Sequence, residues 1–517
     1  MVKYKLDYYF PEVIMSFNSI NYLIFLPLVS MGYFLIPQKH RNVYLLAVSY
    51  YFYWCSEVRF FLLLPFLTLA TFFTGKAVDN AQGKSKKLFF LAGMGLNLGI
   101  LIFFKYNRFF LGQITNLTGA QFDLTKWVLP MGISFYVFMA VSYLADIMLG
   151  KYHAETNPVK FAVYISFFPH ILMGPIDRAN KFLPQLDKEH KFDYERVRKA
   201  LLLMAIGFFK KIAVADVMAM FINQVHSDLT SYTGLMLIFT AFMYSFQLYA
   251  DFSGYSDIAR GSAMIMGIDV MENFKVPYLA TNFSQFWSKW HISLSNCFQD
   301  YIFTPFVWYN PMKNLPVIGK KFEKPPVLVA IALVFITSGI WHGNTWNFVI
   351  WGCCHAVYRI GEELLKRKFG KPSKNPKPLV FWGKVCGVFT LVTFSQIFFR
   401  AKDLPSAWYY LTHLFSDMSL STFAQGLYDS VKYGFDATPL LIYAYIAFNV
   451  ITLAVLMGMD WWRHFKLKGK CLTTVFDTMP KWQRWLCYYG LVALIMAGFI
   501  INNGGYGASA SFIYNNF

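Results

Sequence analysis

Ser338-Gly339-Ile340-Trp341-His342-Gly343-Asn344-Thr345-Trp346 stands between two apolar runs, Val327 to Ile336 upstream and Phe348 to Cys354 downstream. Such flanks place the histidine at membrane depth, where an ionisable group is costly and normally faces a cavity or another polar group. Imidazole also has the side-chain pKa nearest the working pH of a general base. Gly339 and Gly343 permit close approach of backbone or substrate. Trp341 and Trp346 are placed to wall a narrow passage. The competing reading is a hydrogen-bonded core histidine that only joins two helices.

Outward from this stretch the whole chain has the same character. Of its 517 residues, 56% are hydrophobic, 20% aromatic and only 15% charged. Soluble domains carry about 25% charged residues, so the composition is that of a polytopic membrane protein. Spans of suitable length fall near residues 19–37, 41–55, 58–74, 88–104, 128–149, 160–175, 200–223, 233–250, 326–341, 346–360, 380–399, 438–458 and 484–502. That predicts an all-α bundle of roughly eleven to thirteen transmembrane or re-entrant helices, given ~20 residues per crossing. No cleavable signal pattern opens the chain, so Phe17 to Ile36 reads as a retained first helix. No soluble domain and no internal repeat is visible, and 1–517 is expected to form one integral-membrane domain.

The formal charge of +19 gathers in short loops such as Lys84 to Lys87, Arg196 to Lys199, Lys366 to Lys377 and Arg463 to Lys470. Basic loops between apolar runs follow positive-inside topology, so nucleic acid is not the expected partner. The seven cysteines show no paired metal-ligand spacing, and no metal is expected. P-loop, Rossmann and G-x-S-x-G patterns are absent.

Residues 251–306 are too apolar for a solvated loop and too polar to face lipid, so they are expected to be buried in protein or to line a cavity. Asp251 and Asp257 are read as flanking a Ser-Gly-Tyr-Ser turn after an apolar helix, as helix-end and packing groups with Arg260 as an ion-pair partner. Lys210-Lys211 inside an apolar helix predicts an interfacial bend or snorkelling. His291, in Phe286-Trp287-Ser288-Lys289-Trp290-His291-Ile292-Ser293-Leu294-Ser295, would share a helical face with Trp287. Without His342 it reads as an interfacial anchor. His355, 13 residues beyond His342, is read as remote from the site, and His170 as a structural helix-end group.

Asp251-Phe252-Ser253-Gly254-Tyr255-Ser256-Asp257, Glu272-Asn273-Phe274, Pro277-Tyr278, Asn282-Phe283, Phe286-Trp287, Trp290 to Ser295 and Asp300-Tyr301 together resemble the core signature of the membrane-bound O-acyltransferases. Ser338 to Gly343 with Trp346-Asn347-Phe348 resembles that family's catalytic-histidine motif. Leu129 to Phe135, Phe167-Phe168-Pro169, Gly174-Pro175-Ile176, Phe398 to Ala401 and Phe512 to Phe517 add further likeness. The alginate-acetylation branch is the nearest match and the teichoic-acid D-alanylation branch a relative. Ser288-Lys289, Gln299-Asp300 and Met139-Ala140 depart from it.

The resemblance implies an acyltransferase fold around a central polar tunnel, with a signature core at about 128–360 and C-terminal helices at 379–517. It implies transfer of an acyl group, acetyl first, from a cytoplasmic thioester such as acetyl-coenzyme A to an exported or cell-surface polysaccharide, through an extracytoplasmic esterase-like partner. No tightly bound cofactor is implied, and the setting is the lipid of the plasma or inner membrane, crossed many times. His342 would be the base and His291 a second polar group near the thioester. Trp287, Trp290, Ser293, Trp341, Asn344, Trp346, Asp251 and Tyr255 would line the tunnel, and Lys320, Lys321 and Lys324 would attract coenzyme A phosphates. D-alanyl transfer to teichoic acid from a carrier protein is the second reading, and a histidine-gated channel or transporter the third.

Overall fold

The structure, a computed structural model, describes residues 15–119, 129–311, 326–370, 377–435 and 438–504. The Lys320, Lys321 and Lys324 loop and the Phe512 to Phe517 motif lie outside these residues. Among the described residues every regular element is helical. Chain contacts divide into two compact units, residues 1–204 with 258–271, and residues 205–257 with 272–517.

The first unit holds α1 (Ile20–Leu35), α2 (Gln38–Ser56), α3 (Leu63–Asn80), α4 (Gly83–Thr118), α5 (Ile133–Met148), α6 (Pro158–Ser166), the short α7 (Ala179–Phe182) and most of α8 (Tyr194–Phe208). Helix α5 is buried from Ile133 to Ile147, as expected of a run with no polar face. His170 is structural, as expected: its Nε2 lies 2.9 Å from the Tyr164 carbonyl and its Nδ1 3.4 Å from Asp177.

The second unit begins with the end of α8, a π-helical stretch Phe209–Asp216, and α9 (Val217–Ser227). There follow α10 (Gly234–Ile265), whose residues from Ile258 on belong to the first unit, the short α11 (Phe283–Trp287), α12 (Ile292–Phe298) and α13 (Thr304–Tyr309), and then α14 (Val327–His342) and α15 (Trp346–Phe369). The chain ends in α16 (Pro378–Arg400), α17 (Leu404–His413), α18 (Leu420–Phe435), α19 (Pro439–Phe465), α20 (Val475–Thr478) and α21 (Lys481–Gly504). Among the described residues five helices are long and apolar enough to cross a membrane: Gly83–Asn107, Gly234–Ile265, Pro378–Arg400, Pro439–Phe465 and Lys481–Asn502. Ile20–Leu35, Ile133–Met148 and Val327–His342 are shorter apolar helices. Leu379, Leu440 and Ile500 stand exposed on the long helices, where lipid tails replace water as their surroundings.

Two expectations are corrected here. Asp251 to Asp257 is no turn: helix α10 runs through it to Ile265. Gly254 makes this possible, since a Cβ there would lie 2.7 Å from the Gly207 carbonyl oxygen and 3.0 Å from the Lys211 nitrogen. The two backbones meet where no side chain intervenes. Nor do Lys210 and Lys211 snorkel to a surface. Both are buried, and the π-helical register, wider than an α-turn, lets each reach a carboxylate. Lys210 Nζ lies 2.7 Å from Asp257, and Lys211 Nζ lies 2.6 Å from Asp251 and 2.8 Å from Asp216. Asp251 and Asp257 are therefore ion-pair partners of the π-helical segment. Charges removed from water persist only when paired in this way.

Candidate active site

Helices α14 and α15 form a tight antiparallel hairpin. A Cβ on Gly339 would fall 2.3 Å from the Phe348 carbonyl oxygen, and one on Gly352 would fall 2.4 Å from that of Phe335. A Cβ on Gly343 would lie 2.1 Å from the Phe348 ring. The glycines thus do what their spacing predicts, bringing backbone against backbone at the turn. His342 ends α14 and is 5% exposed. Its ring is walled by Trp341, Trp351 and Phe399, at centroid distances of 4.6, 4.9 and 5.1 Å.

His342 lines a cavity of about 20 Å³ together with Leu248, Phe286, Trp287, Trp290, Trp351, His355, Val392, Gln396 and Phe399. That volume accommodates about one water molecule. The sequence leads to the expectation of a central polar tunnel; what lies beside His342 is a small void walled mostly by aromatic rings.

His291 reaches the same neighbourhood by a different route. It does not continue a helix from Trp287, correcting the shared-face reading. Helix α11 ends at Trp287, and His291 caps α12 with a left-handed backbone, φ 43° and ψ 53°. Asn273 holds this corner: its carbonyl accepts from the Ile292 N–H at 3.0 Å, and its side-chain oxygen from the Ser293 N–H at 3.1 Å. The His291 ring packs edge-on against Phe252 at 4.7 Å and lies 6.3 Å from Trp341. Trp341 therefore contacts both histidine rings, although His291 does not line the cavity.

Helix α11 is placed by its cap and by α15. Asn282 accepts from the Gln285 N–H at 2.8 Å, Glu362 accepts from the Ser284 N–H at 2.9 Å, and Phe283 stacks on Tyr358 at 4.9 Å. Trp287 is thereby held over α15, and Trp290 stacks on Phe286 at 5.6 Å. Both tryptophans line the cavity.

The remaining predicted lining residues do not meet there. Trp346 is 60% exposed at the start of α15, and Asn344 is half-buried in the turn. Ser293 is buried in the first turn of α12 on Asn273. Asp251 is held by Lys211, and Tyr255 is buried one turn further along α10. None of these five lines the cavity, and neither does Trp341, which lies against the two histidine rings instead.

The residue that sequence reading set aside is His355. It is 1% exposed and lies on the cavity wall, its ring 4.8 Å from Trp351 and 5.0 Å from Trp287. Counting from His342 made it remote, but the axis that matters is α15. Trp351 and His355 are four residues apart on one face, a spacing visible in the sequence.

Residues 153–399 match the sequence profile of the membrane-bound O-acyltransferase family. The probable alginate O-acetylase AlgI of Azotobacter vinelandii is 32% identical over 443 residues, covering 84% of this chain and 84% of that protein. The chain belongs to the membrane-bound O-acyltransferase family. It is an O-acyltransferase and a multi-pass membrane protein. The peptidoglycan O-acetyltransferase of Helicobacter pylori is 30% identical over 76% of this chain and 78% of that protein. The teichoic acid D-alanyltransferase of Bacillus subtilis is 31% identical over 53% of this chain and 69% of that protein. The acyltransferase profile spans the whole α14–α15 hairpin, His291 and all of the cavity wall.

Proposed function

We propose that this acyltransferase moves an acetyl group from a cytoplasmic thioester, acetyl-coenzyme A, to hydroxyls of an exported or cell-surface polysaccharide, across the plasma membrane. The observation that carries this reading is the position of His342: a buried imidazole at the end of a glycine-tightened hairpin, on the wall of a cavity. In this reading His342 takes the proton of the acceptor hydroxyl. The oxygen attacks the thioester carbonyl, the tetrahedral intermediate expels the thiolate, and the imidazolium returns the proton to sulfur. His291 serves the donor end of the path, linked to His342 by the shared Trp341 ring. An acyl thioester exceeds the present void, so the Phe286, Trp287 and Trp290 wall must move aside during turnover. The chain acts as one membrane domain, and the attacking hydroxyl belongs either to the polymer itself or to an extracytoplasmic esterase-like protein that passes the acetyl group on to it.

The relatives named for alginate and peptidoglycan acetylation favour a carbohydrate hydroxyl as acceptor. D-alanyl transfer from a carrier protein is the second reading, favoured by the teichoic acid relative. Membranes containing the protein, supplied with acetyl-labelled coenzyme A or with a D-alanyl-charged carrier, separate the two. The proposal expects covalent label in alkali-labile ester on surface polymer from the first donor only. Label from the carrier alone would replace acetyl by D-alanyl.

A further inference from the structure

We infer that His355 and Trp287 form a subsite for a single neutral hydroxyl oxygen inside the cavity that His342 shares. It is filled by water at rest and by the acceptor hydroxyl in turnover, the latter role resting on the function proposed above. The tautomer of His355 follows from its neighbour. Ser395 Oγ lies 2.7 Å from the Val392 carbonyl oxygen and 3.0 Å from His355 Nε2. A carbonyl oxygen only accepts, and the Val392 contact is the shorter of the two, so we place the single hydroxyl hydrogen there. With that placement the Ser395 oxygen accepts from His355, the ring is the Nε2–H form and Nδ1 keeps a bare lone pair. That Nδ1 is buried and has no hydrogen-bond partner among the described residues.

Trp287 supplies the complement. Its Nε1–H, a donor and nothing else, is likewise buried without a partner among the described residues, on a ring 5.0 Å from that of His355. Both residues line the cavity of about 20 Å³. Leaving one buried donor and one buried acceptor unmet is costly, and a cavity needs roughly 10–15 Å³ and two or more polar partners to hold a water. One oxygen satisfies both groups, accepting from Trp287 and donating to His355 Nδ1. Gln396 closes the wall beside them, its side-chain oxygen accepting from the Ser245 hydroxyl at 2.5 Å. An alcohol has one hydrogen where water has two, so a hydroxyl entering toward His342 binds with its oxygen on Trp287 and that hydrogen on His355 Nδ1, and turns the hydrogen to His342 as transfer begins. His355 is in this account a positioning residue, distinct from the base.

Two measurements test this. In a high-resolution structure of the protein without substrate, one oxygen should lie within about 3.2 Å of His355 Nδ1 and Trp287 Nε1. A dry cavity, or Nδ1 bonded to a side chain, would overturn the subsite. In transfer from acetyl-coenzyme A to a mannuronan oligosaccharide, Trp287→Phe and His355→Phe should each raise the acceptor KM about 3- to 10-fold. kcat should change less, and His355→Asn, which returns a polar atom near the Nδ1 position, should recover part of the loss. A fall in kcat with KM unchanged would remove the positioning role. If the wild-type protein transfers nothing to that oligosaccharide, the choice of acceptor fails instead, and the density alone decides the subsite.

Discussion

At the residue scale, two histidines reach one aromatic neighbourhood by opposite backbone solutions. His342 needs only a helix end and two glycines. His291 sits in a left-handed conformation that costs a non-glycine residue about 1–2 kcal/mol, and strain of this kind collects at functional positions. The two smallest replacements of His291 should therefore differ. His291→Gly should melt higher than His291→Ala by an amount corresponding to about 1 kcal/mol, with transfer reduced in both. Equal melting temperatures by scanning calorimetry in detergent would mean that the left-handed backbone is absent from the folded protein.

At the element scale, the π-helical stretch Phe209–Asp216 is what the second unit can least easily lose. Lys211 holds Asp251 and Asp216 together with all three side chains buried. Lys211→Met leaves two buried carboxylates without their cation and should destabilise by about 3–5 kcal/mol. Combining it with Asp251→Leu should recover part of that, read from thermal unfolding of the three variants. Helix α17 gives a milder case. Asp403 caps it, accepting from the Ser406 hydroxyl at 2.6 Å and the Ser406 N–H at 2.9 Å. The Ser406 hydroxyl first, and then its N–H, hold the Asp403 carboxyl below its ordinary 3.8. The cap's contribution is thus full above that ordinary value and is lost as pH falls through the lower folded value. Asp403→Ala should cost about 1 kcal/mol near neutrality and less in strong acid, measured by melting across pH.

Element by element, apolar length was legible and polar interruption was not. The span at 326–341 matches α14, and that at 346–360 starts with α15, because their hydrophobic runs begin clearly; α15 continues to Phe369 through charged residues that end no helix. Helix α10 was cut short on paper because Asp251, Ser253, Gly254 and Asp257 resemble turn chemistry. Their partners lie some 40 residues upstream in the π-helical stretch, and no local pattern announces them. The break between α11 and α12 was hidden for the converse reason. Trp287 and His291 have helical spacing, but Asn273, far earlier in the chain, takes the N–H groups that open α12.

At the scale of the whole molecule, composition alone separated this chain from soluble enzymes, while the basic clusters read as loops prove to be helix ends: Lys84 to Lys87 open α4, Arg196 to Lys199 lie in the first turns of α8, and Lys366 to Lys368 close α15. The motif histidines, both tryptophans over the cavity and the glycine contacts were readable as local pattern. Val392 and Gln396 were not, since they join the site only through the packing of α16 against it, while His355 could have been found from its four-residue spacing to Trp351. The resulting site is small, aromatic and nearly closed, so turnover requires its wall to yield. What the wall encloses is the imidazole of His342, and the account stands on that ring acting as the base. The most direct measurement is acetyl transfer from acetyl-coenzyme A by purified His342→Ala protein beside wild type, with thermal melting of both. The account predicts a fall of about 10²- to 10⁴-fold or more in a variant that inserts and melts like wild type. Transfer near the wild-type rate by a folded His342→Ala protein would contradict it.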